Sequence, residues 1–212
     1  MRFVAAVACA ALGLSAPASA EIVATGDGAF ISRNSVEVTA SQWDAWKAMI
    51  APNTWWDGAH TYSGDAANMY LDAQATGCFC EKLPLAKDAP AGTRAGSIEH
   101  MHVVYVAPGS ALRMIGGLGP LQSEAVKGVL TVTFKPLEGG KTRILWEYSV
   151  GGYMRYETPK IAALVDSVVA LQLRRLGEKL GLAAPPAAPA AKDKVEPETK
   201  PGTADKPAAD PG

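Results

Sequence analysis

Three cysteines and three histidines in 212 residues leave little material for a metal centre, and one of the cysteines, Cys9, falls in a segment read below as a discarded leader. No nucleophile triad, no phosphate-binding glycine loop and no zinc-module spacing occurs along the chain. Past residue 20 no apolar run is long enough to cross a bilayer as a helix. There is no excess of either charge: 20 Lys and Arg stand against 21 Asp and Glu, a formal net charge of −1. That balance makes nucleic acid and anionic lipid surfaces poor partners.

What is present begins with a leader. Arg2 is the only charge in residues 1–20, Phe3 to Leu14 is an apolar core too short for a membrane span, and Ala18-Ser19-Ala20 is a small-residue cleavage pattern. The mature chain is therefore expected to begin at Glu21 and to be periplasmic. At the other end, residues 183–212 carry seven of the fifteen prolines and no aromatic residue. Such a composition buries too little apolar surface to offset about 1–2 kcal/mol per residue of backbone entropy, so a disordered tail is expected. One domain, residues 21–182, lies between.

Within that domain two tryptophan-bearing helical stretches, Ser41 to Ile50 and Pro52 to Trp56, precede a run of glycine-punctuated strands from about Met69 to Val150. Leu130, Val132 and Phe134 alternate with Val129, Thr131, Thr133 and Lys135, and on the return Ile144, Trp146, Tyr148 and Val150 alternate with Arg143, Leu145, Glu147 and Ser149, so each run has one apolar face. A two-residue Gly139-Gly140 turn would set Phe134 opposite Leu145 and bury Arg143 and Glu147. A three-residue loop, Glu138-Gly139-Gly140, sets Phe134 opposite Ile144 and Val132 opposite Trp146, and is the one expected. Further pairs are expected around Pro108-Gly109-Ser110 and around Thr76-Gly77, with a first strand at Phe30 to Val38, about seven strands in all. A long helix, Pro159 to Leu180, follows with Thr158 as its expected N-cap and Gly181 as its stop. Its apolar side reads Ile161, Leu164, Val165, Val168, Leu171, Gln172 and Leu176, in which Gln172 is the one amide and needs a partner. The fold class is α+β: a curved antiparallel sheet wrapped around a long C-terminal helix, enclosing a pocket.

The strings Ser41-Gln42-Trp43-Asp44-Ala45-Trp46, Trp55-Trp56, Gly77-Cys78-Phe79-Cys80-Glu81, Glu99-His100-Met101, Leu118-Gly119-Pro120-Leu121-Gln122 and Val150-Gly151-Gly152-Tyr153 carry a resemblance. In them, and in the order of its elements from about Phe30 to Gly181, the chain resembles the START-like helix-grip superfamily (SRPBCC), in its bacterial polyketide cyclase and dehydrase-like branch. The resemblance implies a sheet gripping a helix around a hydrophobic cavity, with lipids, sterols, polyketides and plant hormones among the superfamily's ligands. It does not imply a reaction, because carriers, sensors, cochaperone-like modules and enzymes share the layout.

Cys78, Cys80, His100 and His102 form a Cys2His2 set that meets if the two strands pair with residue numbers summing to about 180. Ligands two apart on a strand are spread by about 6.6–6.8 Å, which makes a tetrahedral site awkward, and no metal or other cofactor is assigned. A Cys78–Cys80 disulfide needs a bulged or bent strand, so free thiols, a disulfide and a metal pair stay open. Glu81 with His100 is the best pair for general acid and base work. The expected pocket lining is Trp46, Trp55, Trp56, Tyr70, His100, His102, Met114, Trp146, Tyr148, Val165 and Gln172, with the Gly116 to Gln122 loop at its mouth.

The leading functional expectation is an exported, monomeric binding protein for a small hydrophobic or amphipathic ligand. Two others compete: a cyclase, dehydratase or hydrolase type enzyme using Glu81 or His100, and a protein-interaction module of the heat-shock ATPase activator type.

Overall fold

A computed structural model describes residues 19–183. All but the first residue of the expected tail, and all but the last two residues of the expected leader, lie outside the described residues. In chain order come β1 (Ser19–Gly26), β2 (Ala29–Val38), α1 (Gln42–Met49), β3 (Met69–Leu71), β4 (Cys78–Leu83), β5 (Gly96–Ala107), β6 (Ala111–Ile115), β7 (Ala125–Pro136), β8 (Thr142–Tyr153) and α2 (Thr158–Lys179), with short 3-10 turns between some of them. The strands make one antiparallel sheet in the order β1-β2-β8-β7-β6-β5-β4-β3.

Alternation decides which face is buried. Along β8, Thr142, Ile144, Trp146, Tyr148 and Val150 are buried while the residues between them are not, and β2 buries Phe30, Ser32, Asn34, Val36 and Val38 in the same rhythm. The β7–β8 register is Phe134 opposite Ile144 and Val132 opposite Trp146, as the three-residue loop requires. Leu137 and Lys141 close that loop through a backbone hydrogen bond, and Gly139 and Gly140 both take positive φ, which glycine adopts without a Cβ clash.

The sheet has eight strands rather than seven. The additional strand, β1, pairs with β2 through the two-residue Asp27-Gly28 turn, where Gly28 has φ +66. Asp-Gly is a strong hairpin signal.

The two helices start differently. Ser41 caps α1 by accepting from the Asp44 amide. Thr158 does not cap α2: it is the first helical residue, with Glu157 at the cap position, and its hydroxyl accepts instead from the Gly28 amide, tying the helix to the first hairpin. The buried side of α2 is Ile161, Ala162, Val165, Val169, Gln172, Leu173, Leu176 and Gly177. It is rotated from the expected stripe, since Leu164 is exposed and Val168 and Leu171 are half-buried. The reason is polar: Asp166, on the same helix, accepts from Ser32 Oγ (2.6 Å) and Asn34 Nδ2 (3.0 Å) on the inner face of β2, which fixes the helix's rotation about its axis.

Candidate functional site

A cavity of about 350 Å³ lies between α2, the middle of the sheet and two loops. Its wall is mostly aliphatic and aromatic. Trp146 of β8 and His100 of β5 form the sheet side; Leu164, Val165, Val168, Val169 and Gln172 form the helix side. Trp56 and residues 60–62 come from the loop after α1, and Leu118, Gly119 and Pro120 from the loop after β6, so the expected mouth loop does border the cavity. The two loops meet where the Tyr62 hydroxyl lies 3.0 Å from Gln122 Oε1.

Tyr148 supports that mouth from below. Its hydroxyl accepts from the Leu118 amide (3.0 Å) and donates to the Gly116 carbonyl (2.9 Å). Burial pushes its pKa up to about 12, so the phenol keeps its proton and both bonds. The close approach depends on Gly128: a Cβ there would stand 2.4 Å from the Tyr148 hydroxyl and 2.3 Å from the Gly116 carbonyl oxygen.

His100 reaches the wall because of a bulge. Across β4–β5, Phe79 pairs with Met101 but Cys80 pairs with Glu99, leaving His100 without a partner. His100 and Met101 are consequently both buried. The Cys2His2 set is thereby taken apart: Cys78 does stand opposite His102, but His102 is half-exposed whereas His100 turns inward onto Glu81. Cys78 and Cys80 are joined by a disulfide with Cα atoms 5.4 Å apart, beside Tyr70, whose hydroxyl lies 4.0 Å from Cys78 Sγ. Among the described residues no cluster of three or more metal-ligating side chains occurs.

Glu81 and His100 form a buried pair, Nε2 to Oε2 3.0 Å, with Glu81 wholly inaccessible. Burial pushes the Glu81 carboxyl upward, but hydrogen bonds from Ser63, from the Tyr62 amide and from His100 outweigh it, so its pKa lies below the usual 4.5. Burial also depresses His100 below 6.5, and the hydrogen bond and charge of Glu81 restore only part of the shift. At neutral pH the carboxylate is therefore ionised and the imidazole neutral, with its proton on Nε2 donated to Glu81. Nδ1 makes no hydrogen bond to the described residues, and His100 is the one member of the pair in the cavity wall. A neutral imidazole oriented by a carboxylate can take or give a proton.

Of the expected lining, the cavity takes Trp56, His100, Trp146, Val165 and Gln172. The others lie elsewhere. Trp46 packs edge-on against Phe134 in the core, while Trp55, with its indole on the Ala48 carbonyl, and Met114 line a smaller adjoining void that shares Trp56, Leu118 and Trp146 with the cavity wall. Tyr148 serves the loop, and Tyr70 and His102 are partly exposed near the disulfide. Residues 60–62, 118–120, Leu164, Val168 and Val169 were not anticipated as individual wall residues. Of these, Leu164 and Val168 had been placed on the core stripe, and only the helix's rotation brings them to the cavity.

The layout is that of a helix-grip fold. Solved structures with a similar layout include an uncharacterised protein from Rhizobium leguminosarum, with 20% identity over 72% of this chain and 95% of that one at a TM-score of 0.47. A protein from Mycobacterium smegmatis shares 15% over 77% of this chain and 97% of that one, TM-score 0.48. The Aha1 dimer from Colwellia psychrerythraea shares 12% over 70% and 93%, TM-score 0.43. No protein-family model and no curated protein sequence matches the chain.

Proposed function

We propose that this chain is an exported binding protein that holds a small hydrophobic or amphipathic molecule between α2 and the sheet. One observation carries the reading: an apolar cavity of about 350 Å³ within the size range of small-molecule sites, roughly 300–1,000 Å³. Its position between helix and sheet is where a helix-grip layout leaves room. The volume suits a compact molecule better than a full-length lipid. Native mass spectrometry of protein recovered from its own periplasm is expected to show a retained small molecule, and delipidated protein is expected to be stabilised by apolar compounds. A protein that binds nothing across lipids, polyketides and small aromatics would end this reading.

A second reading is favoured by the Glu81–His100 pair. With Nε2 committed to Glu81, His100 offers Nδ1 as a general base on a cavity-bound substrate, the chemistry of a cyclase, dehydratase or hydrolase. No third group completes a triad among the described hydrogen bonds, so binding stands first. The retained molecule incubated with wild type, Glu81→Gln and His100→Asn decides: conversion by wild type alone would make the enzyme reading the leading one.

A further inference from the structure

The Cys78–Cys80 disulfide stands on β4 directly behind the cavity wall. Successive strand residues point to opposite faces, so the two cysteines share the outer face of the sheet while Phe79 and Glu81 point inward. Cys78 is half-buried and Cys80 buried. Around the sulfurs stand the Tyr70 hydroxyl, His102, opposite Cys78 in the register, and Lys82, whose ammonium lies over the Tyr70 ring. A partly exposed sulfur with an imidazole and an ammonium nearby is the setting in which a thiolate forms and leaves readily.

Stability does not account for this bond. A disulfide restricts the unfolded chain more the longer the loop it closes, and here a single residue separates the cysteines. Its effect falls on the strand instead. The two Cα atoms are 5.4 Å apart, whereas residues two apart on a regular strand are spaced by roughly 6.6–6.8 Å. The bond thus draws β4 in by about 1 Å at the point where β5 carries its extra residue, His100.

Two inward residues carry that spacing to the cavity. The Phe79 ring lies 5.1 Å from that of Trp56 and 5.3 Å from that of His100, and both partners are wall residues. Glu81 accepts from His100 Nε2 and from the Tyr62 and Ser63 amides, so it ties β4 to the loop that borders the cavity.

From this arrangement we propose that Cys78–Cys80 is an exchange-active disulfide that switches the cavity wall between two settings, opened by a dithiol reductant through Cys78. One thiolate of the reductant attacks Cys78 Sγ, the S–S bond breaks, and Cys80 leaves as a thiolate that takes up a proton. The reductant's second thiolate then attacks its own sulfur in the mixed disulfide and releases Cys78, which is protonated in turn. The protein gains two electrons and two protons, and the reductant departs as its disulfide. Released, β4 relaxes toward regular spacing and shifts Phe79 and Glu81 against Trp56 and His100. The switch belongs to the ligand-free wall and goes beyond the binding reading.

Dithiothreitol added to the folded, ligand-free protein tests this, with thiols counted by alkylation and mass spectrometry and the wall followed by NMR. Complete reduction without unfolding is expected, with a shift of the His100 ring and Trp56 indole signals that reverses on reoxidation. The indole signal of Trp43, exposed on α1, is expected to stay in place. Cys78→Ser combined with Cys80→Ser is expected to hold the reduced positions permanently; should that variant fail to fold, reduction of the unaltered protein decides. In Cys80→Ser, Cys78 is expected to take up glutathione from oxidised glutathione faster than Cys80 does in Cys78→Ser. A disulfide that resists dithiothreitol until the chain unfolds, or whose reduction unfolds it, is a staple, and would overturn the proposal. Reduction that leaves the His100 and Trp56 signals unmoved would overturn the switch, and equal glutathione uptake would overturn entry through Cys78. Each of these results leaves the container reading as it stands.

Discussion

Glu81 and His100 show what a single pair can do to the pH behaviour of a whole domain. The unfolded imidazole titrates near 6.5 and the folded one lower, so the unfolded chain binds more protons in that interval and folding stability rises with pH across it. The contribution is fully present above about pH 6.5 and is lost as pH falls toward the folded value; Glu81 adds a second loss below about 4.5, again toward a lower folded value. Denaturant titrations at stepped pH are expected to show this decline, and His100→Asn is expected to flatten its upper part. Equal pH profiles for wild type and variant would show that His100 is not the group responsible. At the same scale, Gly128→Ala is expected to cost several kcal/mol, because the added carbon must displace the Tyr148 hydroxyl or the Gly116 carbonyl. A melting temperature unchanged by G128A would mean that the mouth loop yields freely.

At the scale of elements, α2 is held by an apolar stripe and one polar clasp. Val165→Asp places a charge against the sheet and the cavity, and is expected to cost about 3 kcal/mol or more or to prevent folding, measured by denaturant unfolding of soluble protein. A normally stable V165D protein would put that face of the helix in solvent. Asp166→Ala is expected to cost about 1–3 kcal/mol, since Asn34 Nδ2 and Ser32 Oγ lose their shared acceptor. Much of this architecture was legible in the sequence, because alternation along β7 and β8 admits one loop length that keeps Arg143 and Glu147 outside, and the register follows. The rotation of α2 was not, because the clasp joins residues more than a hundred positions apart and Asp166 reads as an ordinary surface acid. The bulge at His100 was equally hidden, as nothing in Glu99-His100-Met101 marks which residue loses its partner. Yet that bulge decides the site: it separates His100 from His102 and brings it onto Glu81. Tyr70 and Trp46 were expected near the cavity because aromatic side chains suit both core and pocket, and composition does not distinguish the two.

At the scale of the molecule, the chain's two described ends are tied to the same strand. β1 runs along one edge of β2, and beyond α2 the chain returns to β2's far end, where Leu182 bridges Val38 and the Ala183 amide donates to the Glu37 carbonyl. Gly181, at φ +75, makes the turn that permits it, and a side chain there would meet Thr39. Leu182 also lies against Gly177, where an added Cβ would stand 2.5 Å from its side chain, so the last residues pack onto the helix they follow. All of these contacts are kept by a chain ending at Ala183. A chain ending at Ala183 is expected to melt within a degree or two of the full chain, because the proline- and alanine-rich segment beyond it has no apolar face to dock. One ending at Leu180 loses the bridge, the Ala183 hydrogen bond and the Leu182 contact, and is expected to melt about 2–4 °C lower, the shift that about 1 kcal/mol produces in a domain of this size. Calorimetry of the two truncations beside the full chain tests both expectations. A large loss on ending at Ala183 would show that the distal segment packs, and no loss on ending at Leu180 would show that the return to β2 contributes nothing to stability.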